Sequence, residues 1–255
     1  MPAPMNRLKA DLAAGKLLRG LWLNLGSGLV AEMAGNAGFD WCLVDGEHGP
    51  WDPASIRAQL IALAATPAEA VVRVPVAEDW VLKQALDLGA QTVLVPMVDS
   101  AAQARAVVRA CRYPPEGGRG QGAMVARAAG YGMVPDYTVN ANAEVCILVQ
   151  AESRAALAAL DDIAAVEGVD GVFIGPADLA ADMGHRDDPG HAHVQAAIGD
   201  AIPRIRSAGK AAGIILGTPE ARGWAVDLGV TFLGMGSEAA LLSGALRDLA
   251  RDGAA

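Results

Sequence analysis

Two carboxylates and an imidazole lie within four residues in the stretch LVDGEHGP, which spans residues 43–50. Asp45, Glu47 and His48 directly follow an apolar run that is typical of a buried strand. A histidine with an ordinary pKa can act as a general acid or base near neutral pH, and a nearby carboxylate such as Asp45 can orient its ring. The stretch therefore predicts acid–base chemistry at the end of a strand.

Other apolar runs are followed by polar residues whose types suit the chemistry of a keto acid. Glu152 and Asp178 are hard oxygen donors, and two carboxylates with coordination positions left open suit Mg²⁺, Mn²⁺ or a similar ion. Arg73 is always charged and presents a planar fork of donors, which suits a carboxylate or a developing enolate. With His48 as the base, these residues predict enolate formation from a metal-held keto acid.

Short apolar runs, typical of strands, alternate along the chain with helical patterns. The predicted strands cover residues 21–25, 41–45, 70–74, 92–96, 145–150, 171–174, 211–216 and 231–233. Helices are predicted at 28–36, 53–65, 80–88, 101–111, 154–161, 219–227 and 238–251, with two further helical stretches after the sixth strand. Continuous apolar strands separated by helices indicate a parallel sheet that is covered on both faces.

Eight strand–helix units in 255 residues predict an α/β fold, a (β/α)8 TIM barrel that forms one domain over residues 1–255. An open, doubly wound sheet is the alternative, and both folds place function at the C-terminal ends of the strands. Taken singly, a strand-end aspartate is usually a turn or a helix cap, and a lone arginine is usually a surface ion pair. The convergence of several such residues on one face of a barrel favours a site.

The composition bounds the partners and the compartment. The formal charge of −9 repels nucleic-acid phosphates and anionic lipid, so neither nucleic acid nor membrane is an expected partner. The cysteines Cys42, Cys111 and Cys146 form no C-x-x-C pair, which favours a reducing, cytoplasmic setting. The start of the chain is charged and helical in pattern, without an apolar signal core, and no apolar run is long enough to span a bilayer.

Five segments of the chain resemble the HpcH/HpaI aldolases, and the resemblance extends from about residue 20 to residue 236. They are LVDGEHGP, VVRVP, LVPMVDSAAQARAVVRACRYPPEGGRG, LVQAES and GVDGVFIGPADLAADMG. The resemblance implies a barrel of the phosphoenolpyruvate/pyruvate type, a C-terminal helix exchanged between subunits, and a homo-oligomer, a hexamer built as a trimer of dimers. It also implies reversible aldol cleavage of 4-hydroxy-2-oxo acids to a 2-oxo acid, pyruvate or hydroxypyruvate, and an aldehyde, as in aromatic catabolism. The implied cofactor is a divalent metal such as Mg²⁺, Mn²⁺ or Co²⁺, with no organic cofactor.

The resemblance implies catalytic and metal-binding roles for residues already singled out by their types. Glu152 and Asp178 correspond to the metal ligands, and Arg73 corresponds to the arginine that neutralises the enolate oxygen. His48, with Asp45 behind it, corresponds to the acid–base pair.

Further correspondences concern the substrate. Gln150 matches a polar residue near the metal, and the backbone at Gly175 and Ala177 matches the segment that holds the pyruvate carboxylate. Trp22 and Leu216 match residues that line the pocket.

Asp87 matches a residue that reaches into the neighbouring subunit's site in this family.

The chain departs from the family pattern at VQAES, beside the metal-binding glutamate, and in the charged loop HRDDPGHAH near the implied site entrance. The aldehyde preference is therefore left open.

Two other enzyme classes and a binding protein are the alternatives. A Schiff-base aldolase needs a lysine at the site, but Lys9, Lys16, Lys83 and Lys210 all lie away from the predicted C-terminal strand ends. An acyl-CoA lyase of the citrate lyase beta type would also form a metal-stabilised enolate. The sequence, however, has no cluster of basic residues to bind the nucleotide of coenzyme A. A barrel that only binds a metabolite would not need this whole set of polar residues.

Three motifs could have binding roles, but the sequence supports these roles less strongly. GMGSEA, at residues 234–239, resembles a dinucleotide-binding turn, but too little chain follows it to complete a βαβ unit. Arg119 in GGRGQG could meet substrate from a lid, although a structural role is favoured. His185, His191 and His193 could form a second metal site, but histidines in a charged loop are expected to be solvated.

Overall fold

The barrel consists of eight parallel strands in a computed structural model, which describes residues 3–252. The strands are β1 Leu18–Leu23, β2 Trp41–Asp45, β3 Glu69–Arg73, β4 Thr92–Val95, β5 Cys146–Ala151, β6 Gly171–Ile174, β7 Ala211–Ile215 and β8 Phe232–Ser237. Each strand pairs in parallel with the next, and β8 pairs with β1, so the sheet closes on itself. The predicted (β/α)8 barrel is confirmed and the open sheet is excluded. The prediction of one domain over residues 1–255 includes chain ends that lie outside the described residues.

Helices surround the barrel, and side-chain caps define where several of them begin. They are α1 Arg7–Ala13, α2 Gly28–Gly35, α3 Pro53–Leu63, α4 Asp79–Asp87, α5 Ala101–Cys111, α6 Tyr137–Glu144, α7 Arg154–Ala158, α8 Leu160–Ala164, α9 Pro176–Asp182, α10 Ala192–Ser207, α11 Pro219–Asp227 and α12 Glu238–Asp252. Ser27, Asp52, Ser100, Ser153 and Thr218 each accept a hydrogen bond from the backbone N–H three residues later. Such caps satisfy N–H groups that a first helical turn leaves free. The five helices that follow these caps start where the sequence predicts.

The bounds of β1 and β8 differ from the predictions by more than one residue, because pairing between these two strands extends the start of β1 and the end of β8. β1 begins at Leu18 rather than at residue 21, since the Leu18 N–H donates to the carbonyl of Thr231 at 2.8 Å and the strand pairs with β8. β8 continues to Ser237, where the sequence predicts a turn. A Cβ on Gly234 would lie 2.7 Å from the Trp22 ring, so glycine allows β8 to stay beside β1 at this point.

The strands have an inner and an outer apolar face. The inner cluster comprises Leu18, Trp22, Trp41, Leu43, Val71, Leu94, Cys146, Leu148, Phe173, Ala211 and Phe232, with Leu8 and Leu12 of α1. A larger cluster fills the layer between the strands and the helices. Because side chains alternate along a strand, residues two positions after an inward-facing residue also face inward. The alternation therefore directs Asp45, Arg73 and Gln150 into the barrel mouth, above Leu43, Val71 and Leu148 respectively.

The segment from Tyr113 to Asn142, between α5 and β5, is partly ordered by its own small core. It contains a 3₁₀ turn at Arg127–Gly132 and helix α6, which the sequence does not predict. Tyr113, Ala129, Tyr137 and Ala141 are buried together.

Cys42, Cys111 and Cys146 are all free thiols and are all buried. Within residues 3–252, the helices lack the combination of length and apolar character that crossing a bilayer requires.

Candidate active site

Asp45 and Arg73 form a buried ion pair at the C-terminal ends of β2 and β3. They are register partners on adjacent strands. The Arg73 Nε donates to Asp45 Oδ1 at 2.8 Å, and Nη2 donates to Oδ2 at 2.7 Å. The Arg73 side chain is 9% exposed, and the Asp45 side chain is 0% exposed. Burial opposes the charge on Arg73, but the hydrogen bonds and negative charge of Asp45 outweigh burial and raise the arginine pKa.

Asp45 also shapes the turn that follows β2. Its Oδ1 accepts the backbone N–H groups of Glu47 at 3.0 Å and His48 at 3.3 Å, and its Oδ2 accepts Nδ2 of Asn24 at 2.6 Å. The predicted support of His48 by Asp45 thus takes a different form from ring orientation. Asp45 holds the backbone at His48, while the imidazole is exposed at the rim.

Glu47 is a site residue whose role is not predicted from the sequence. Its Oε2 lies 2.8 Å from Nη1 of Arg73, as an ion pair outside hydrogen-bond geometry. Burial raises the Glu47 pKa, Arg73 and His48 oppose the rise, and Asp45 and Asp178 add to it. The sequence feature that indicates a role for Glu47 is its position two residues after Asp45, within the same strand-end turn.

Gln150 and Glu152 extend the same polar layer from β5. Nε2 of Gln150 donates to Glu152 Oε2 at 2.5 Å, and Oε1 of Gln150 lies 3.5 Å from Arg73 Nη1. Glu152 Oε1 accepts the backbone N–H of Met97 at 2.8 Å. Met97 has a φ of 55°, a left-handed conformation that side chains other than glycine seldom adopt. Glu152 is therefore held from the β4 loop as well as from its own strand.

The turn after β6 brings Asp178 towards Glu152. Gly175 is the N-cap of α9, and a Cβ at this position would collide with Glu152 Oε2. Glycine thus leaves open the space beside this carboxylate. Asp178 lies in the first turn of α9 and is exposed, and Ala177 beside it is exposed as well.

The rim carries more negative than positive charge, because Asp45, Glu47, Glu152 and Asp178 face a single guanidinium. The pKa of Glu152 is raised to about 7, first by burial and then by the charges of Glu47 and Asp178, against the hydrogen bonds from Met97 and Gln150. A buried carboxylate in that position is stabilised in its charged form by a cation. The oxygen donors Glu152 and Asp178, with open space beside them, therefore fit a hard divalent ion.

Trp22 and Leu216 occupy different positions relative to this layer. Trp22 is 4% exposed and packs against Trp41 and Phe173, with ring centroids 5.4 Å apart in both pairs. Leu216 is half-buried at the end of β7, and its N–H donates to the Gly234 carbonyl at 3.2 Å. Trp22 therefore belongs to the barrel core, one inward position below the level of Asp45.

Asp87 is not brought to the rim of its own barrel. It is the last residue of α4, which runs away from the C-terminal end of β3. Its Oδ1 accepts Nη2 of Arg119 at 2.6 Å, and the Arg119 guanidinium lies 4.4 Å from the Tyr113 ring centroid. Arg119 is 2% exposed, so its contacts are structural, the role that the sequence favours.

Known proteins resemble this chain over nearly its whole length. A family model described as HpcH/HpaI aldolase/citrate lyase matches residues 18–244. A hydroxypyruvate/pyruvate aldolase of Agrobacterium fabrum is 55% identical over 249 residues, covering 98% of this chain and 94% of that protein. A 4-hydroxy-2-oxo-heptane-1,7-dioate aldolase of Klebsiella pneumoniae is 50% identical over 238 residues, covering 93% and 90%. A solved family protein from Burkholderia cenocepacia superimposes with a TM-score of 0.94 at 39% identity, covering 98% of this chain and all of that one.

Proposed function

The chain belongs to the HpcH/HpaI aldolase/citrate lyase family, and we propose that it is a class II aldolase acting on 2-oxo acids. In this proposal it catalyses the reversible cleavage of 4-hydroxy-2-oxo acids to pyruvate or hydroxypyruvate and an aldehyde, as a carbon–carbon lyase. The names of relatives that are 50% and 55% identical support an aldolase over an acyl-CoA lyase.

Glu152 and Asp178 would hold the divalent metal, Mg²⁺, Mn²⁺ or Co²⁺. When bound, such an ion polarises a keto group as a Lewis acid. Gln150 orients Glu152 through its 2.5 Å hydrogen bond, and Met97 restrains the other carboxylate oxygen. The Glu152 carboxylate is therefore positioned before any ligand arrives, which lowers the cost of binding.

Arg73 supplies positive charge where the substrate becomes negative. Its Nε and Nη2 are used by Asp45. The edge proposed to face the substrate is Nη1, which lies 2.8 Å from Glu47 Oε2 and 3.5 Å from Gln150 Oε1. A guanidinium held in this way needs no reorganisation when charge develops on the keto oxygen.

His48 is the proposed acid–base residue. Its ring is exposed at the rim while its backbone is anchored by Asp45, so the imidazole can exchange protons with substrate and solvent. The backbone at Gly175 and Ala177, where α9 begins, is proposed to hold the substrate carboxylate. Leu216 is proposed to line the pocket, with Trp22 supporting its floor.

We also propose that the protein is a homo-oligomer, a hexamer in which α12 packs on a neighbouring subunit. Leu241, Leu242, Leu246 and Leu249 of this helix are between 49% and 71% exposed, although they are large and apolar. A stripe of this kind usually marks an interface. In such an assembly Asp87 would act in the neighbouring site, which agrees with its absence from the site of its own chain.

The observation that carries the proposal is the convergence of Glu152, Asp178, Arg73 and His48 on one end of a closed barrel in a chain of this family. The test is deuterium exchange at the methyl group of pyruvate, followed by NMR in the presence of Mg²⁺ or Mn²⁺ and then with EDTA. Exchange that requires the metal supports the aldolase. Exchange that is unaffected by EDTA would refute it, and exchange that occurs only with a thioester substrate would favour an acyl-CoA lyase.

A further inference from the structure

Three of the four histidines of the chain lie within nine residues, between α9 and the first turn of α10. His185 and His191 are half-buried, and their rings stack with centroids 3.5 Å apart and 14° between the ring planes. His193 is 4.9 Å from His191 and 5.7 Å from His185, centroid to centroid. The sequence predicts solvated side chains. The structure leaves His193 exposed and the other two half-buried, and the loop folds the three rings together.

Backbone hydrogen bonds hold this loop in place. The His185 N–H donates to the carbonyl of Ala180 at 2.7 Å, which ties the loop to the end of α9. The Asp188 N–H donates to the His185 carbonyl at 3.0 Å, and the His191 N–H donates to the Asp188 carbonyl at 3.1 Å. The imidazoles thus project from a closed loop that is anchored at both ends.

From this arrangement we infer that His185, His191 and His193 form a binding site for a transition-metal ion such as Zn²⁺, Co²⁺ or Ni²⁺. One nitrogen from each ring lies within 4.8 Å of the other two. In a tetrahedral zinc site with Zn–N bonds of about 2.0–2.1 Å, nitrogens lie roughly 3.3 Å apart. Small side-chain rotations on the protein surface close that gap.

The donor set differs in kind from the acidic rim around Glu152. Three imidazoles and no carboxylate suit zinc, nickel, copper or cobalt, whereas carboxylate oxygens suit magnesium. The loop sequence HRDD has one positive and two negative side chains, so its formal charge favours a cation.

Metal binding would also change the start of α10. Nδ1 of His191 accepts the backbone N–H of His193 at 3.2 Å. Coordination through this nitrogen exchanges a weak cap bond for a metal bond. The ion then joins the segment after α9, the helix that carries Asp178, to the first turn of α10.

Zinc titration of a tag-free chain tests the inference. The chain should carry Glu152→Gln and Asp178→Asn, so that the acidic rim does not compete for the ion. Isothermal titration calorimetry should show one Zn²⁺ per chain, without competition from excess Mg²⁺. Even partners outside the first coordination sphere contribute about 10- to 100-fold to metal affinity, so His185→Gln or His193→Gln should weaken zinc binding at least about tenfold.

Arg186→Gln is the matched control, since Arg186 is an exposed residue of the same loop. It should leave the zinc affinity unchanged, and circular dichroism should show that all variants remain folded. No zinc binding to the background chain, or equal affinity after His185 and His193 are both replaced, would overturn the inference. The proposed aldolase site is tested separately, by Mn²⁺ binding to a chain that keeps Glu152 and Asp178.

Discussion

Asp45 and Arg73 occupy paired positions at the ends of β2 and β3, and two of the Arg73 nitrogens donate to the two oxygens of that carboxylate. The arginine fork is thus used inside the protein and is not free to grip a substrate carboxylate. The Arg73 atom that remains for the substrate is Nη1, which lies between Glu47 and Gln150 on a buried guanidinium.

Removing Asp45 should destabilise the protein as well as inactivate it. Breaking a buried ion pair leaves an uncompensated charge, and Asp45→Ala should lower the free energy of unfolding by about 3–5 kcal/mol. Urea denaturation followed by circular dichroism measures this change. Asp161→Asn, which breaks an exposed pair with Arg204, is the control and should have a much smaller effect. Equal effects of the two substitutions would contradict the energetic importance of the buried pair.

Glu152→Gln and Asp178→Asn should each abolish metal-dependent turnover, because each removes a charged ligand. Manganese titration by calorimetry or electron paramagnetic resonance should show a loss of affinity for both variants. Asp182→Asn is a matched control, since Asp182 ends the same helix and pairs with Arg154 on the surface. Full metal-dependent activity in either of the first two variants would remove that residue from the proposed site.

Metal affinity should rise with pH through neutrality. With a pKa of about 7, Glu152 is about half protonated at pH 7 in the metal-free protein, so binding a metal must release protons. The raised pKa also means that the folded chain binds more protons than the unfolded chain between about pH 4.5 and 7. The contribution of Glu152 to metal-free stability therefore declines as the pH rises through that window.

Calorimetry in two buffers of different ionisation enthalpy counts the released protons. Release should be substantial at pH 6.5 and small at pH 8.5. Glu152→Gln should abolish this proton release, and identical proton counts at the two pH values in the unmodified chain would argue against the raised pKa.

His48→Gln should lower the turnover number by about 10²–10⁴-fold, which is the usual contribution of a general acid–base residue. Manganese affinity should stay close to that of the unmodified chain, since His48 is not a proposed ligand. Steady-state kinetics together with metal titration separate the two effects. Lys16→Gln, at an exposed position before β1, is the control for turnover. A loss below tenfold in His48→Gln would exclude the acid–base role.

Replacing the apolar stripe of α12 should weaken the oligomer. Leu242→Glu with Leu246→Glu introduces charge where the exposed leucines are proposed to meet a neighbouring subunit. Light scattering coupled to size exclusion should show a smaller assembly than for the unmodified chain. Arg247→Gln, on the same exposed helix, should leave the mass unchanged, and an unchanged mass in the double variant would rule out the exchanged helix.

Much of the architecture follows from local signals in the sequence. The apolar runs at 41–45 and 171–174 predict β2 and β6 at their observed bounds, because a buried parallel strand must be continuously apolar. Capping residues such as Ser100 and Thr218 define the helix starts, since a cap acts on N–H groups only a few positions away. Strand direction alone then places Asp45, Arg73 and Glu152 at one end of the barrel.

The partners of these side chains depend on residues far apart in the chain, and only the closed barrel decides them. Asp45 engages Arg73 rather than the ring of His48, and Arg119 is buried against Asp87 rather than near a substrate. The three loop histidines also converge only through the backbone bonds between α9 and α10. Residue types and strand periodicity depend only on neighbouring positions in the sequence. Hydrogen-bond partners and burial depend on distances between residues that are far apart in the chain. These distances, and with them the raised pKa of Glu152, are set only when the sheet closes.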